Sequence, residues 1–325
     1  MSTIKTEYAG LTLKSPLIVG SSGLTTSASH NEDFEKAGAG AIVLKSLFEE
    51  QIEIQSDQLM QESDYPEAAD YIQGYVKAHQ LTKYLELIEN SKEVCTIPII
   101  ASINCYKAAN WIDFAKQIEE AKADAIELNI FHLETELNAN PADLIKLHID
   151  IIQKVKKAVN IPVIAKIGKT IGNIPSLVNN LKAHGADAVV LFNRYYQPDI
   201  DINTQKVISG NVFSNQSDLS DTLRWTAIVS GKIPNISIAA STGVHEWEDV
   251  VKCLLAGASA VQLCSTLYDH GKSFLTQATD KLEKWMQKEN YSSIAEFSGK
   301  LSYRNVADPT LYERSQFMKY FSDKA

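Results

Sequence analysis

Short runs of β-branched and other apolar residues recur along the chain, each followed by a longer stretch with the spacing of an amphipathic helix. The runs predict strands at Leu17–Gly20, Ala41–Lys45, Ile99–Ile103, Ala125–Asn129, Val163–Ile167, Ala188–Asn193, Ser237–Ser241 and Ala260–Cys264. Helices are expected between them, among others at Trp111–Lys122, Ala142–Val159 and Trp247–Ala256. Strands in alternation with helices imply βαβ units and a parallel sheet.

The runs also repeat in pairs. Four open with small residues (GAGAIVLK, KADAIELN, HGADAVVLFN, GASAVQLC) and four follow a proline (SPLIVG, IPIIAS, IPVIAK, IPNISIA), in strict alternation. Eight strands arranged this way fit an α/β fold of the (β/α)8 TIM-barrel type better than an open doubly wound sheet. The open sheet would also want a G-x-G-x-x-G turn after its first strand, and the chain has none.

A length of 325 residues leaves room for two domains. The eight-fold rhythm instead takes up nearly the whole chain, so a single domain, 1–325, is expected. Two connections break the rhythm: an insert at 46–78 with eight acidic residues and one lysine, and a loop at 194–216. Long connections of this kind are read as functional lids or disordered segments, and both follow strand C-termini, where a barrel keeps its active site. A C-terminal extension, 291–325, is expected to pack on the barrel.

Composition narrows the function. The net charge of −9 argues against nucleic acid or anionic lipid as the main partner. The sequence has no apolar stretch near the ~18–20 residues of a membrane span and no signal-peptide core at its start, so a cytoplasmic protein is expected. The four scattered cysteines include no C-x-x-C pair, which argues against a disulfide scaffold, a zinc site or an iron–sulfur cluster, and no metal is expected.

In a barrel, polar residues at strand C-termini are the site candidates. Here they include Ser22, Gly23, Lys45, Ser46, Asn104, Asn129, Lys166, Asn193, Arg194, Thr242, Gly243, Ser265 and Thr266. The STG and CST turns after strands 7 and 8 supply hydroxyls and backbone N–H groups suited to a phosphate. Lys45 and Lys166 could place positive charge beside an electron-rich heterocycle such as a reduced flavin. Asn129 and Asn193 each offer a donor and an acceptor for an imide or amide edge.

The ordered segments IIASINCYKAANW, AKADAIELNI, PVIAKIG, VVLFN, ASTGV and VQLCSTLY resemble the class 1 dihydroorotate dehydrogenase family. They are also similar to the pyrimidine-reducing barrel of dihydropyrimidine dehydrogenase. The resemblance implies a TIM barrel that binds FMN non-covalently and moves hydride to it from a CH–CH bond of a dihydropyrimidine-like substrate, dihydroorotate by default. It implies Ser22 and Gly23 beside the flavin ring, with Lys45 and Ser46 between flavin and substrate. Lys166 and Asn129 would contact the isoalloxazine; Thr242, Gly243, Ser265 and Thr266 would hold the phosphate. Asn193, Arg194 and Asn129 would face the substrate. It further implies a homodimer. Since the chain has no nicotinamide domain of its own, a separate electron acceptor is expected, either a fumarate-like molecule or a partner protein.

The match has gaps. The family usually reads N-x-S-C-P-N after strand 4, with the cysteine as catalytic base, whereas this chain reads Asn129-Ile130-Phe131-His132-Leu133-Glu134. The family's asparagine-rich loop after strand 2 is replaced by ESDYPEAADY. Arg194 takes the place of a small hydroxyl residue. A histidine, with an unperturbed pKa of about 6.5, can take a proton near neutrality, so His132 is the candidate base. Two other readings stay open: a colourless lyase or aldolase with Lys166 as Schiff-base lysine, and a flavin-binding protein without catalysis.

Overall fold

The computed structural model describes residues 3–61, 69–105 and 108–315. Most of the ESDYPEAADY run lies outside them. Eight parallel strands form the centre: β1 (Leu17–Val19), β2 (Ala41–Val43), β3 (Ile99–Asn104), β4 (Ala125–Asn129), β5 (Val163–Ile167), β6 (Ala188–Leu191), β7 (Ser237–Ser241) and β8 (Ala260–Leu263). Each pairs with its neighbours in chain order. Pairing of β8 with β1, Val261 opposite Leu17, closes the ring, so the sheet is the (β/α)8 barrel that the alternation predicts.

Helix α1 (Ala28–Lys36) leads from β1 to β2, and α4 (Ala108–Glu120), α5 (Pro141–Ala158), α6 (Ile174–Ala183), α7 (Leu219–Lys232) and α8 (Trp247–Ala256) cover the later strands. Local chemistry sets their ends. Asn140 caps α5, its side chain accepting from the Ala142 N–H at 3.0 Å, and Pro141 fits the first turn, where an N–H would have no partner. After β8, a short helix Ser265–His270 precedes a longer one, Ser273–Lys288.

Strand residues alternate faces, so Ala125, Glu127 and Asn129 share the inward face of β4. The four alanines of the repeat, Ala41, Ala125, Ala188 and Ala260, belong to one buried cluster with Tyr8 and Leu13. Tyr8 and Leu13 come from an antiparallel hairpin, Thr6–Tyr8 with Leu11–Leu13. The alanines are small because the hairpin fills the base of the barrel. The sequence echo is thus one packing layer.

The insert is helical. Leu47–Phe48 extends the sheet beside β3; helices α2 (Glu49–Gln61) and α3 (Ala69–Val94) follow. Buried Leu81, Tyr84 and Ile88 hold α3 against the barrel at helical spacing. The loop after β6 carries an exposed hairpin, Pro198–Asp201 with Lys206–Ser209. The C-terminal segment is tied to α7 and α8 by backbone hydrogen bonds, Tyr303 to Ala227 at 2.9 Å and Leu301 to Leu255 at 2.8 Å. Phe297 is fully buried among Trp285 and Tyr291, with ring centroids 5.0 and 5.1 Å away.

Gly40, just before β2, is forced by contact. A Cβ there would lie 1.9 Å from the Ser15 carbonyl oxygen. Gly40→Ala is expected to cost about 2–3 kcal/mol of unfolding free energy by urea titration, because backbone must move. An unchanged midpoint would contradict this packing.

Candidate active site

The turns after β7 and β8 meet at the barrel mouth. Thr242 and Gly243 take positive φ values of 82° and 88°, so the chain doubles back directly after β7. A Cβ on Gly243 would come within 2.2 Å of the Leu219 nitrogen at the start of α7, so only glycine fits. Thr222 of α7 locks the turn, its hydroxyl donating to the carbonyls of Ser241 and Thr242 at 3.0 and 2.9 Å. Across the gap, the first N–H groups of the helix Ser265–His270 have no intrahelical acceptor. The Ser265 hydroxyl accepts from the Ser214 N–H at 3.0 Å, while the Thr266 hydroxyl is turned inward onto the Val244 carbonyl. These groups form a cradle for an anion.

The cradle opens into a cavity of about 430 Å³ reaching back to Ser22, Gly23, Lys166, Asn193 and Arg194. Its floor is polar. Glu127, Lys166 and Gln262 point inward from β4, β5 and β8, above the apolar base. Lys166 Nζ donates to Gln262 Oε1 at 3.1 Å and stands 3.5 Å from Glu127 Oε1; Gln262 Nε2 donates to Glu127 Oε2 at 2.5 Å. The Glu127 side chain is 1% exposed and that of Lys166 is 10% exposed. A buried carboxylate needs such a counter-ion, which in turn fixes the ammonium at the cavity floor. Beneath it, the Tyr8 hydroxyl is buried and has no hydrogen-bond partner among the described residues. Burial, with Glu127 adding to it, holds the Tyr8 pKa well above the usual phenol value.

Residues 3–286 match the family model described as dihydroorotate dehydrogenase. The chain belongs to the dihydroorotate dehydrogenase family. It is 29% identical over 315 residues to the Thermoplasma volcanium protein named dihydroorotate dehydrogenase B (NAD(+)), catalytic subunit, covering 92% of this chain and 98% of that one. Proteins of the same name from Methanosarcina acetivorans and Pyrococcus furiosus are 30% and 28% identical, over 91% of this chain in each case and over 95% and 98% of theirs. The resemblance read from the strand-end motifs is therefore borne out, and with it the class of enzyme, a dehydrogenase.

Within this member of the dihydroorotate dehydrogenase family, the residues predicted from sequence divide into groups. Ser22, Gly23, Lys166, Asn193, Arg194, Thr242, Gly243 and Ser265 line the main cavity. Asn129 joins them indirectly, its side-chain oxygen accepting from Asn193 Nδ2 at 2.7 Å. Arg194 is committed to structure: its guanidinium donates to Asp218 at 2.7 Å, to the Val212 and Asn211 carbonyls and to Gln197. Lys45 and Ser46 line a neighbouring cavity instead. The Ser46 hydroxyl shares hydrogen bonds with Ser21 at 2.9 Å and Ser102 at 2.7 Å. Burial lowers the Lys45 pKa, partly offset by Cys264. His132 sits outside both cavities, 48% exposed in its side chain, with Nε2 3.5 Å from Glu134.

Sequence reasoning missed Glu127 and Gln262. Both carried a signal: each is a polar residue at an inward alternate position of an otherwise apolar strand. Cys264 lines the cavity, but burial raises its thiol pKa, against the opposing pull of Lys166, Ser22 and Lys45. It is a neutral thiol at physiological pH.

Removing Glu127 alone leaves an uncompensated ammonium. Glu127→Ala should cost about 3–5 kcal/mol in denaturant unfolding. The double variant Glu127→Ala/Lys166→Met should recover part of that loss. Strictly additive losses would contradict the ion pair as the floor's organising contact.

Proposed function

We propose that the protein is an FMN-dependent oxidoreductase acting on a CH–CH bond of a dihydropyrimidine-like compound, dihydroorotate by family default. The observation that carries this reading is the anion cradle of β7 and β8 set across one cavity from Lys166. The residues present fit FMN. Thr242, Gly243, Ser265 and the orphan N–H groups suit its phosphate, Ser22 and Gly23 offer a small-residue wall for a flat ring, and Lys166 offers positive charge. When bound, FMN supplies the hydride acceptor.

The chain's own residues do the rest. The Asn193–Asn129 pair orients a ring bearing amide groups, and Lys166, held in place by Glu127 and Gln262, favours added negative charge at the cavity floor. The substrate loses a hydride from one carbon and a proton from the carbon beside its carbonyl, forming a C=C bond. The candidate base for that proton remains His132, with Glu134 3.5 Å away to stabilise its imidazolium, although its side chain stands outside both cavities. Electrons leave to a separate acceptor. Several relatives are named as catalytic subunits with NAD(+), which supports a partner protein in that role.

The ion pair of Lys166 with Glu127 speaks against a Schiff-base lyase, which needs a neutral amine. The exposure of His132 favours one second reading, a flavin-binding protein without catalysis.

Anaerobic mixing with dihydroorotate, dihydrouracil and close analogues separates the two. The protein should be yellow, and at least one compound should bleach it. His132→Ala should slow that half-reaction by about 10²–10⁴-fold. An unchanged rate removes His132 from the mechanism, and a flavin that no compound bleaches supports the non-catalytic reading.

A further inference from the structure

The long connection after β6 returns to the barrel mouth. Its end, residues 211–215, is held by Arg194, just past β6, and by Ser265, just past β8. Between those fastenings Val212, Phe213 and Ser214 line the main cavity. Little apolar surface is buried there, for Val212 is 70% exposed and Phe213 38%. The span rests on a few polar bonds and one ring contact, the profile of a segment that opens locally while the barrel stays folded.

The fastenings are specific. The Arg194 guanidinium donates to the Asn211 carbonyl at 3.1 Å and the Val212 carbonyl at 3.2 Å, and Asp218 fixes it at 2.7 Å. With a further bond to Gln197, all three of its nitrogens are used, so its fork has no free side for a substrate anion. The same Asp218 oxygen accepts from the Asn215 N–H at 3.0 Å, tying the end of the span to the arginine's anchor. On the far side the Ser214 hydroxyl bonds His245 Nε2 at 3.1 Å. Phe213 packs on Tyr268 with ring centroids 5.1 Å apart, and the Tyr268 hydroxyl lies 2.9 Å from where a Cβ on Gly23 would be.

Ser265 joins the span to the cradle. Its oxygen accepts from the Ser214 N–H at 3.0 Å, which leaves its hydrogen to donate to an anion. A hydroxyl that donates to an anion becomes a better acceptor, so a phosphate in the cradle would strengthen the bond that holds Ser214 down.

We propose that residues 211–215 form a gate on the main cavity, with Arg194 as its latch, and that a phosphate in the cradle draws the gate shut. Arg194 is then a positioning residue that touches neither flavin nor substrate. The ligand of this gate rests on the FMN reading; the latch does not.

Flavin-free, full-length protein gives two readouts. Stopped-flow quenching of FMN fluorescence yields association and dissociation rates. Loosening a latch opens the way in and out alike, so Arg194→Met should raise both rates about tenfold and move Kd by less than about threefold. Ser214→Ala, which loses only the His245 bond, should raise both about threefold; it carries the comparison if Arg194→Met fails to fold. Chymotrypsin cleavage after Phe213 reads the opening without flavin, and should be about tenfold faster in Arg194→Met. In the unsubstituted protein, saturating FMN should slow that cut more than saturating riboflavin. A weaker Kd with unchanged association, or a cut indifferent to both substitutions, would overturn the gate, and equal protection by the two flavins would overturn the phosphate's part in closing it. If the unsubstituted protein binds no FMN, the cofactor reading fails, and the flavin-free cleavage rates alone decide the latch.

Discussion

Closing eight parallel strands into a ring turns every second side chain toward a narrow interior that must be filled without gaps. Everything else in this molecule follows from how that interior is layered. At the base, four alanines make room for Tyr8 and Leu13 of the N-terminal hairpin. One step higher, Glu127, Lys166 and Gln262 bond to one another in place of an apolar plug. The barrel therefore ends early as a hydrophobic core and begins there as a polar chamber.

The same layering explains why the chemistry sits at one end. The ion pair is satisfied within the barrel wall, so Lys166 can be both buried and charged at the chamber floor. The cradle on the rim depends on different forces: positive φ at Thr242 and Gly243, and a glycine pressed against the start of α7. Floor and rim are built by separate strands that the ring brings face to face. The cavity beside Lys45 and Ser46 is an addition to this plan, made by helices inserted after β2.

Much of this was legible in the sequence. Strict alternation of proline-led and small-residue runs reported the eight strands, because small residues mark the layer facing Tyr8. The boundaries of β4, β5 and β7 were read as they stand, and several other strands end one or two residues earlier than expected. The turns after β7 and β8 were legible because small residues cluster there. The floor network was not, since Glu127 and Gln262 reveal themselves only once the inward face of each strand is known. Nor was the helical insert, whose acidic residues masked the spacing of Leu81, Tyr84 and Ile88. His132 shows the limit of motif position: a loop residue's place in the sequence does not say which way the loop turns it.

The central claim is that the mouth of this barrel is shaped for a flavin carrying a phosphate. Titrating flavin-free protein with FMN and with riboflavin, followed by quenching of flavin fluorescence, tests it most directly. FMN should bind at one per chain, and riboflavin about tenfold or more weakly, since charge-assisted hydrogen bonds to phosphate contribute roughly 1.5–3 kcal/mol each. Equal affinity for the two, or no binding of FMN, would contradict the account.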